Sequence, residues 1–304
     1  MKKRFCLIMS VLLLVLVISG CSNAGGTTTG NTTGSSNSGG SSQGNITGSA
    51  NAGGSASGST TGSANAGETT SGKIGIIGAM EEEVTLLKEA LTDPKITTIA
   101  DMEFCEGILD DEDVVVVQCG MGKVNAGICA NTLINQFHCS RIINTGVAGS
   151  LDNRINIGDI VVSVDACQHD YDVEAIGFKK GEIPYTGLSE FPADETLRKE
   201  AVEAVQTVAP DVRVFEGRVC TGDQFISSKE QKESIKSNFG GLCCEMEGGA
   251  IAQACYLNHT PFVIIRAISD KADESEEISY EVFKKAAAEH CASIVRHMII
   301  HLNE

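Results

Sequence analysis

The chain has 304 residues, of which 40 are acidic and 23 basic, for a formal net charge of −17. Three of the basic residues lie within the first four positions, so the remainder is more acidic than the whole. An acidic surface repels polyanions and excludes nucleic acid and anionic lipid faces as partners.

Lys2, Lys3 and Arg4 precede an apolar run from Phe5 to Ile18, followed by Ser19, Gly20 and Cys21. A basic start, a short apolar stretch and small residues before a cut describe a secretory signal. The stretch is shorter than the ~20 apolar residues that a membrane span takes. Ile18-Ser19-Gly20-Cys21 resembles a bacterial lipobox, which implies a leader over residues 1–21 and lipidation of Cys21. The chain would then be exported and held at the outer face of the cell membrane by a lipid anchor. A plain signal peptide with an incidental cysteine is the alternative. Residues 22–72 are almost only Gly, Ser, Thr, Asn and Ala. Such a stretch cannot offset its ordering entropy by burial, so it is expected to be a flexible tether with an r.m.s. span of about 40 Å.

From Lys73 to Glu304 the composition is that of one large globular domain. Its ten cysteines form no CxxC pair and mostly sit within apolar runs, so free buried thiols and no metal site are expected. Adjacent Cys243 and Cys244 would point to opposite faces of a strand and not pair. None of the six histidines stands at ligand spacing.

Lys73–Ala79 reads as a buried strand, and Val84, Leu87 and Leu91 give a helical period over 81–91. Strands are expected at 114–119, 141–145, 160–164, 212–221 and 261–268. Helices are expected at 124–137, 195–208, 228–237, 248–258 and 279–302. Alternating strands and helices in one domain predict an α/β fold with a largely parallel or mixed central sheet flanked by helices. In such sheets ligands sit beyond the carboxyl ends of the strands. That rule gathers 80–83, 146–149, 245–247 and Ser269-Asp270.

Glu245 and Glu247 stand one residue apart where the chain leaves a strand for a helix, a costly place for carboxylates unless they are paired or used. Glu81, Glu82 and Glu83 suit the first turn of a helix, and Asp270 could be an N-cap, so neither is diagnostic alone. Neither GxGxxG, GxxxxGK[ST] nor GxSxG occurs in the domain, which weakens dinucleotide, P-loop and serine-hydrolase readings.

Taken in order, KIGIIGAMEEEV, GMGKVNA, INTGVAGSL, IGDIVVS, TGDQFI, EMEGGAIAQ and RAISDKAD closely resemble 5′-methylthioadenosine/S-adenosylhomocysteine nucleosidases of the nucleoside phosphorylase/hydrolase superfamily. The resemblance implies hydrolysis of the bond between adenine N9 and ribose C1′ in adenine nucleoside thioethers, without a cofactor. It further implies Asp270 as the acid at N7, Glu83 as the base on water, and Glu247 as the ribose anchor beside the sugar cation. Ser269 would orient Asp270, and Arg266 would steady the water-side carboxylate. Phe225 and Ile226 would bind adenine, while Met80 and Met246 line the sugar and its 5′ group. Ala148, Gly149 and Glu245 complete the binding set, although Glu245 reads equally as structural. By the same resemblance the pocket is completed in a homodimer by 169–178, where Val173 is retained and Ile176 replaces an aromatic. Tyr280 would stand as an aromatic lid residue. Val147 stands where some relatives have Ser, and Ser150 replaces a common Gly. Phosphorolysis, a futalosine-type hydrolase and a non-catalytic nucleoside-binding lipoprotein are the competing readings. Phosphorolysis would need basic clamps, and only Lys123 lies near the Gly-rich turns.

Overall fold

A computed structural model describes residues 72–273 and 279–302. The expected leader with Cys21, residues 22–71 of the expected tether and the acidic stretch 274–278 lie outside the described residues. Ten strands form one sheet: β1 (Ile74–Gly78), β2 (Thr92–Ile99), β3 (Met102–Leu109), β4 (Glu112–Gln118), β5 (Arg141–Ser150), β6 (Ile160–Gln168), β7 (Glu190–Pro192), β8 (Val214–Thr221), β9 (Cys243–Glu245) and β10 (Phe262–Asp270). Among the described residues, six α-helices accompany them: α1 (Glu81–Glu89), α2 (Lys123–Asn135), α3 (Glu195–Val208), α4 (Lys229–Phe239), α5 (Gly248–Leu257) and α6 (Ser279–His301).

Strand side chains alternate between the two faces of a sheet, and this sheet is buried on both. Ile74 and Ile76 of β1, Val114 and Val116 of β4, and Val263 and Ile265 of β10 pack with Val84 and Leu87 of α1, Ala201 of α3 and Ile294 of α6. Their neighbours Ile77, Val115, Val117 and Ile264 face the other way, onto Cys129 and Leu133 of α2 and Ile251 of α5. That two-sided burial explains why these strands read as continuous apolar runs. α3 and α4 start where side chains cap them, Asp194 accepting from Leu197 N at 3.0 Å and Ser228 from Gln231 N at 3.2 Å.

Five of the strand pairings are parallel and five antiparallel, so the sheet is mixed. β5 is its hub. Along 141–144 it pairs with β1, and at Gly149 and Ser150 it pairs with β9; β10 runs beside it from Phe262 to Asp270. β10 also pairs with β6, β6 with β8, and β8 with β9, which closes β5, β10, β6, β8 and β9 into a ring. β4, β3 and β2 extend the sheet outward from β1.

Five strands differ from the sequence expectation. β5 runs on through Gly146-Val147-Ala148-Gly149 instead of ending at Thr145, because β10 continues to pair with it there. The β2–β3 hairpin, β7 and β9 were unexpected. β2 is largely exposed and carries Pro94, and β7 and β9 have three residues each, too few for a period. As expected, the ten cysteines from Cys105 to Cys291 are buried and unpaired.

Candidate active site

β1 ends at Gly78 while β5 continues for several residues, so one side of β5 loses its strand neighbour at Gly146 to Ala148. α1 begins in that gap. Its Glu83 carboxylate replaces the missing strand: Oε2 accepts from Ala79 N at 2.6 Å and Met80 N at 2.9 Å, and Oε1 accepts from Val147 N at 3.1 Å. Gly146 makes the approach possible, since a Cβ there would stand 2.5 Å from Glu83 Oε1 and 2.9 Å from Arg266 Nη1. Burial pushes the Glu83 carboxyl above its ordinary range, opposed by the Arg266 charge and by the three N–H donors. A raised carboxyl pKa suits a proton acceptor that must later release its proton.

Arg266, on β10, is 2 % exposed, and its Nη2 donates to Asn144 Oδ1 and Glu245 Oε2, both at 2.5 Å. Its ion pair is with Glu245, not with the water-side carboxylate expected from sequence; it reaches Glu83 through its charge. Burial works against the Arg266 charge, yet Glu245, Glu247 and Glu83 together hold its pKa above the ordinary value. Glu245 is fully committed: Oε1 accepts from Thr221 Oγ1, and Oε2 accepts from Arg266, from Gly248 N at 2.8 Å and from Glu247 N at 3.2 Å. A carboxylate with four donors has little left for a ligand. Glu245 is therefore structural, although its residue borders the cleft.

Glu247, where α5 begins, is different. Its one protein donor among the described hydrogen bonds is Gly122 N, at 2.8 Å to Oε1. Burial and then the neighbouring Glu245 charge raise its pKa to about 7. The donor stands in a turn with Gly122 at φ +99°, a conformation that L side chains rarely adopt.

At the end of β10 the pairing with β5 slips between Ile268 and Asp270. The irregularity turns Asp270 toward the cleft, where Oδ2 accepts from Ser269 Oγ at 2.9 Å and Oδ1 from Ala272 N at 2.7 Å. Ser269 thus holds the Asp270 carboxylate by a hydrogen bond.

These groups border one cleft, whose walls include Met80, Glu83, Ala148, Gly149, Phe225, Ile226, Met246, Glu247, Ser269 and Asp270. Met121, Gln224 and Cys244 also border it and were not singled out; Met121 and Gln224 stand inside GMGKVNA and TGDQFI, and Cys244 directly precedes EMEGGAIAQ. Val147 lines the wall with an apolar side chain. Val173 and Ile176 are not brought to this cleft, and Ile176 is exposed. Tyr280 lies in the first turn of α6, and its side chain falls outside the described ones. Among the described residues, none of the lining side chains is basic, and no group of His, Cys, Asp and Glu could hold a metal.

A family model described as the phosphorylase superfamily matches residues 73–300. A 5′-methylthioadenosine/S-adenosylhomocysteine nucleosidase of Staphylococcus aureus is 44 % identical over 230 residues, covering 75 % of this chain and all of that protein. The crystal structure of the corresponding Neisseria meningitidis nucleosidase with methylthio-immucillin-A superposes with a TM-score of 0.72 at 37 % identity, covering 75 % of this chain and 98 % of the other. The futalosine hydrolase of Helicobacter pylori gives a TM-score of 0.71 at 31 % identity over 76 % of this chain and 99 % of its own.

Proposed function

Since the chain belongs to the phosphorylase superfamily and, within it, to the 5′-methylthioadenosine/S-adenosylhomocysteine nucleosidases, we propose that it hydrolyses the N-glycosidic bond of these two nucleosides. Adenine and the corresponding thioribose are the products. The observation that carries the reading is the convergence of Glu83, Glu247 and Asp270 on one cleft that no basic side chain lines.

Cleavage needs an acid for the leaving base, negative charge beside an oxocarbenium-like sugar and a base for the attacking water. Asp270, oriented by Ser269, delivers a proton to adenine N7 as the C1′–N9 electron pair passes to the base. Glu247 accepts hydrogen bonds from the ribose hydroxyls and places negative charge next to C1′. Glu83 takes a proton from water as its oxygen bonds to C1′. Ala148, Gly149, Phe225 and Ile226 hold adenine, and Met80 and Met246 cover the sugar and its 5′ group.

Phosphorolysis fits less well. A phosphate would meet the Glu83 carboxylate with no cation lining the cleft. Lys123, the basic residue of the Gly120–Gly122 turn, is bound to Asp170 at 2.6 Å. A pure binding role leaves a buried carboxylate with a raised pKa unexplained. Incubation of the protein with methylthioadenosine in phosphate-free buffer should release adenine at a rate that added phosphate leaves unchanged. A phosphate requirement, or binding without product, would overturn the reading. Aminodeoxyfutalosine as a parallel substrate separates a futalosine-type preference.

A homodimer is part of the proposal. Met121, Val124 and Ile128 are exposed apolar residues at helical spacing around the start of α2, and Phe225 and Ile176 are exposed as well. A second copy of the chain would cover this apolar area and bring its Val173 and Ile176 toward the cleft. Sedimentation of the protein as a monomer at micromolar concentration would refute this. Export and anchoring through Cys21 rest on the lipobox alone; activity on intact cells that Cys21→Ala releases into the medium would support them, and activity appearing only after lysis would refute them.

A further inference from the structure

Behind the cleft three loops meet in a closed circuit that the proposed chemistry does not use. Lys123 Nζ donates to Asp170 Oδ1 at 2.6 Å, Asp223 N donates to Asp170 Oδ2 at 2.9 Å, and Lys123 N donates to Asp223 Oδ1 at 2.8 Å. The three residues follow β6, open α2 and follow β8, so the circuit ties together elements far apart in the chain. None of them lines the cleft. The Lys123 and Asp170 side chains are only 17 % and 15 % exposed, unlike a solvated surface pair.

Two neighbours make the circuit consequential. Gly122, directly before Lys123, donates its N–H to Glu247, and Phe225, two residues after Asp223, forms a wall of the cleft. His169 closes the back: its N–H donates to Thr221 O at 2.8 Å, and its buried ring lies against Gly222, where a Cβ would stand 2.4 Å from Nε2. His169 Nε2 has no partner among the described groups, and the ring packs onto the start of the Phe225 loop.

We propose that Asp170, Lys123 and Asp223 form a positioning clamp that holds the Gly122 N–H on Glu247 and the Phe225 wall at a fixed distance from it. They are positioning residues for the ribose anchor and the base platform, and the inference rests on the reading of Glu247 as that anchor. The clamp sets how Glu247 ionises. Around that carboxylate stand Glu245 from β9, Arg266 from β10, Glu83 from α1 and the Cys119 thiol after β4; Gly122 N is the hydrogen-bond donor that lowers its pKa. Near the clamp itself are Lys123, Asp170, His169 and Asp223.

The sign of the effect separates a clamp from simple charge. Removing the Asp223 carboxylate takes away a negative charge, which by itself can only lower the pKa of Glu247. Loss of the Gly122 hydrogen bond raises it, by about one unit for a donor to a charged group. Titration of carboxyl-labelled glutamate by NMR in the whole protein, with Glu247→Gln to assign the signal, reads this directly. In Asp223→Ala and Asp170→Ala the midpoint should rise from about 7 by about one unit. Asp223→Asn, which keeps an acceptor for Lys123 N but removes the charge, should stay at or slightly below the wild-type value. The acid limb of kcat/KM should follow the same shift, with KM for methylthioadenosine raised more than kcat is lowered. An unchanged or lowered midpoint in both alanine variants overturns the clamp. Should the wild type release no adenine, the functional reading fails, while the titration still judges the clamp.

Discussion

Arg266 and Glu245 form an ion pair at 2.5 Å with side chains 2 % and 3 % exposed. Burying two charges costs several kcal/mol each, and only their mutual attraction with well-placed donors offsets it. Thr221 and the N–H groups of Glu247 and Gly248 supply those donors to Glu245, and Asn144 Oδ1 accepts from Arg266. Removing one partner strands the other. Glu245→Ala should therefore cost about 3–5 kcal/mol in denaturant unfolding. A cost under about 1 kcal/mol would mean the pair is solvated.

Glu247 should make stability fall with rising pH. Its folded pKa of about 7 lies above its ordinary 4.5, so between these values the native state binds more protons than the unfolded chain. Stability is then present below pH 4.5 and lost as pH climbs toward 7. A shift of that size is worth roughly 3 kcal/mol. Glu247→Gln should flatten the slope in urea unfolding between pH 5 and 8, leaving the part from Glu83. An unchanged slope would show that Glu247 is already ionised at low pH.

Asp270→Asn keeps the Oδ1 acceptor for Ala272 N but cannot deliver a proton. Turnover of methylthioadenosine should fall about 10²–10⁴-fold with little change in melting temperature. Near-normal turnover would assign the acid elsewhere.

Gly146→Ala would place a methyl 2.5 Å from Glu83 Oε1, on backbone that β1 no longer supports. The expected result is a folded protein, destabilised by about 1–3 kcal/mol, with activity lost through displacement of Glu83. Full activity would mean that Glu83 works from another position.

The buried cysteines should be silent toward a thiol reagent in the native state and react together on unfolding. Burial pushes up the thiols of Cys119, Cys243 and Cys255, among others, so little thiolate forms at neutral pH. Fast reaction of any of the ten thiols from Cys105 to Cys291 in the native state would contradict this.

Much of the fold was legible because β1, β4 and β10 bury both faces and therefore write themselves as apolar runs. β2 was not, since an exposed edge strand with Asp93, Pro94 and Lys95 resembles a loop. The acids were legible as motifs, but their division of labour was not. Nothing in Glu245-Met246-Glu247 tells which carboxylate will meet Arg266. That depends on β10 lying across β5 from β9, a relation between segments about twenty residues apart. The partner of Glu247 was equally hidden: it is a backbone N–H, 125 positions away, a group that every residue but proline carries.

The ring closed by β5, β10, β6, β8 and β9 also bears on how the molecule meets its neighbours. Strands in a closed circuit offer no unpaired backbone to another chain, so among the described residues the open borders fall to β2 and the three-residue β7. β2 protects itself with Pro94, the charges of Asp93 and Lys95, and a register slip between Thr92 and Lys95. Copies crowded side by side would find no long flat edge on which to template a fibre.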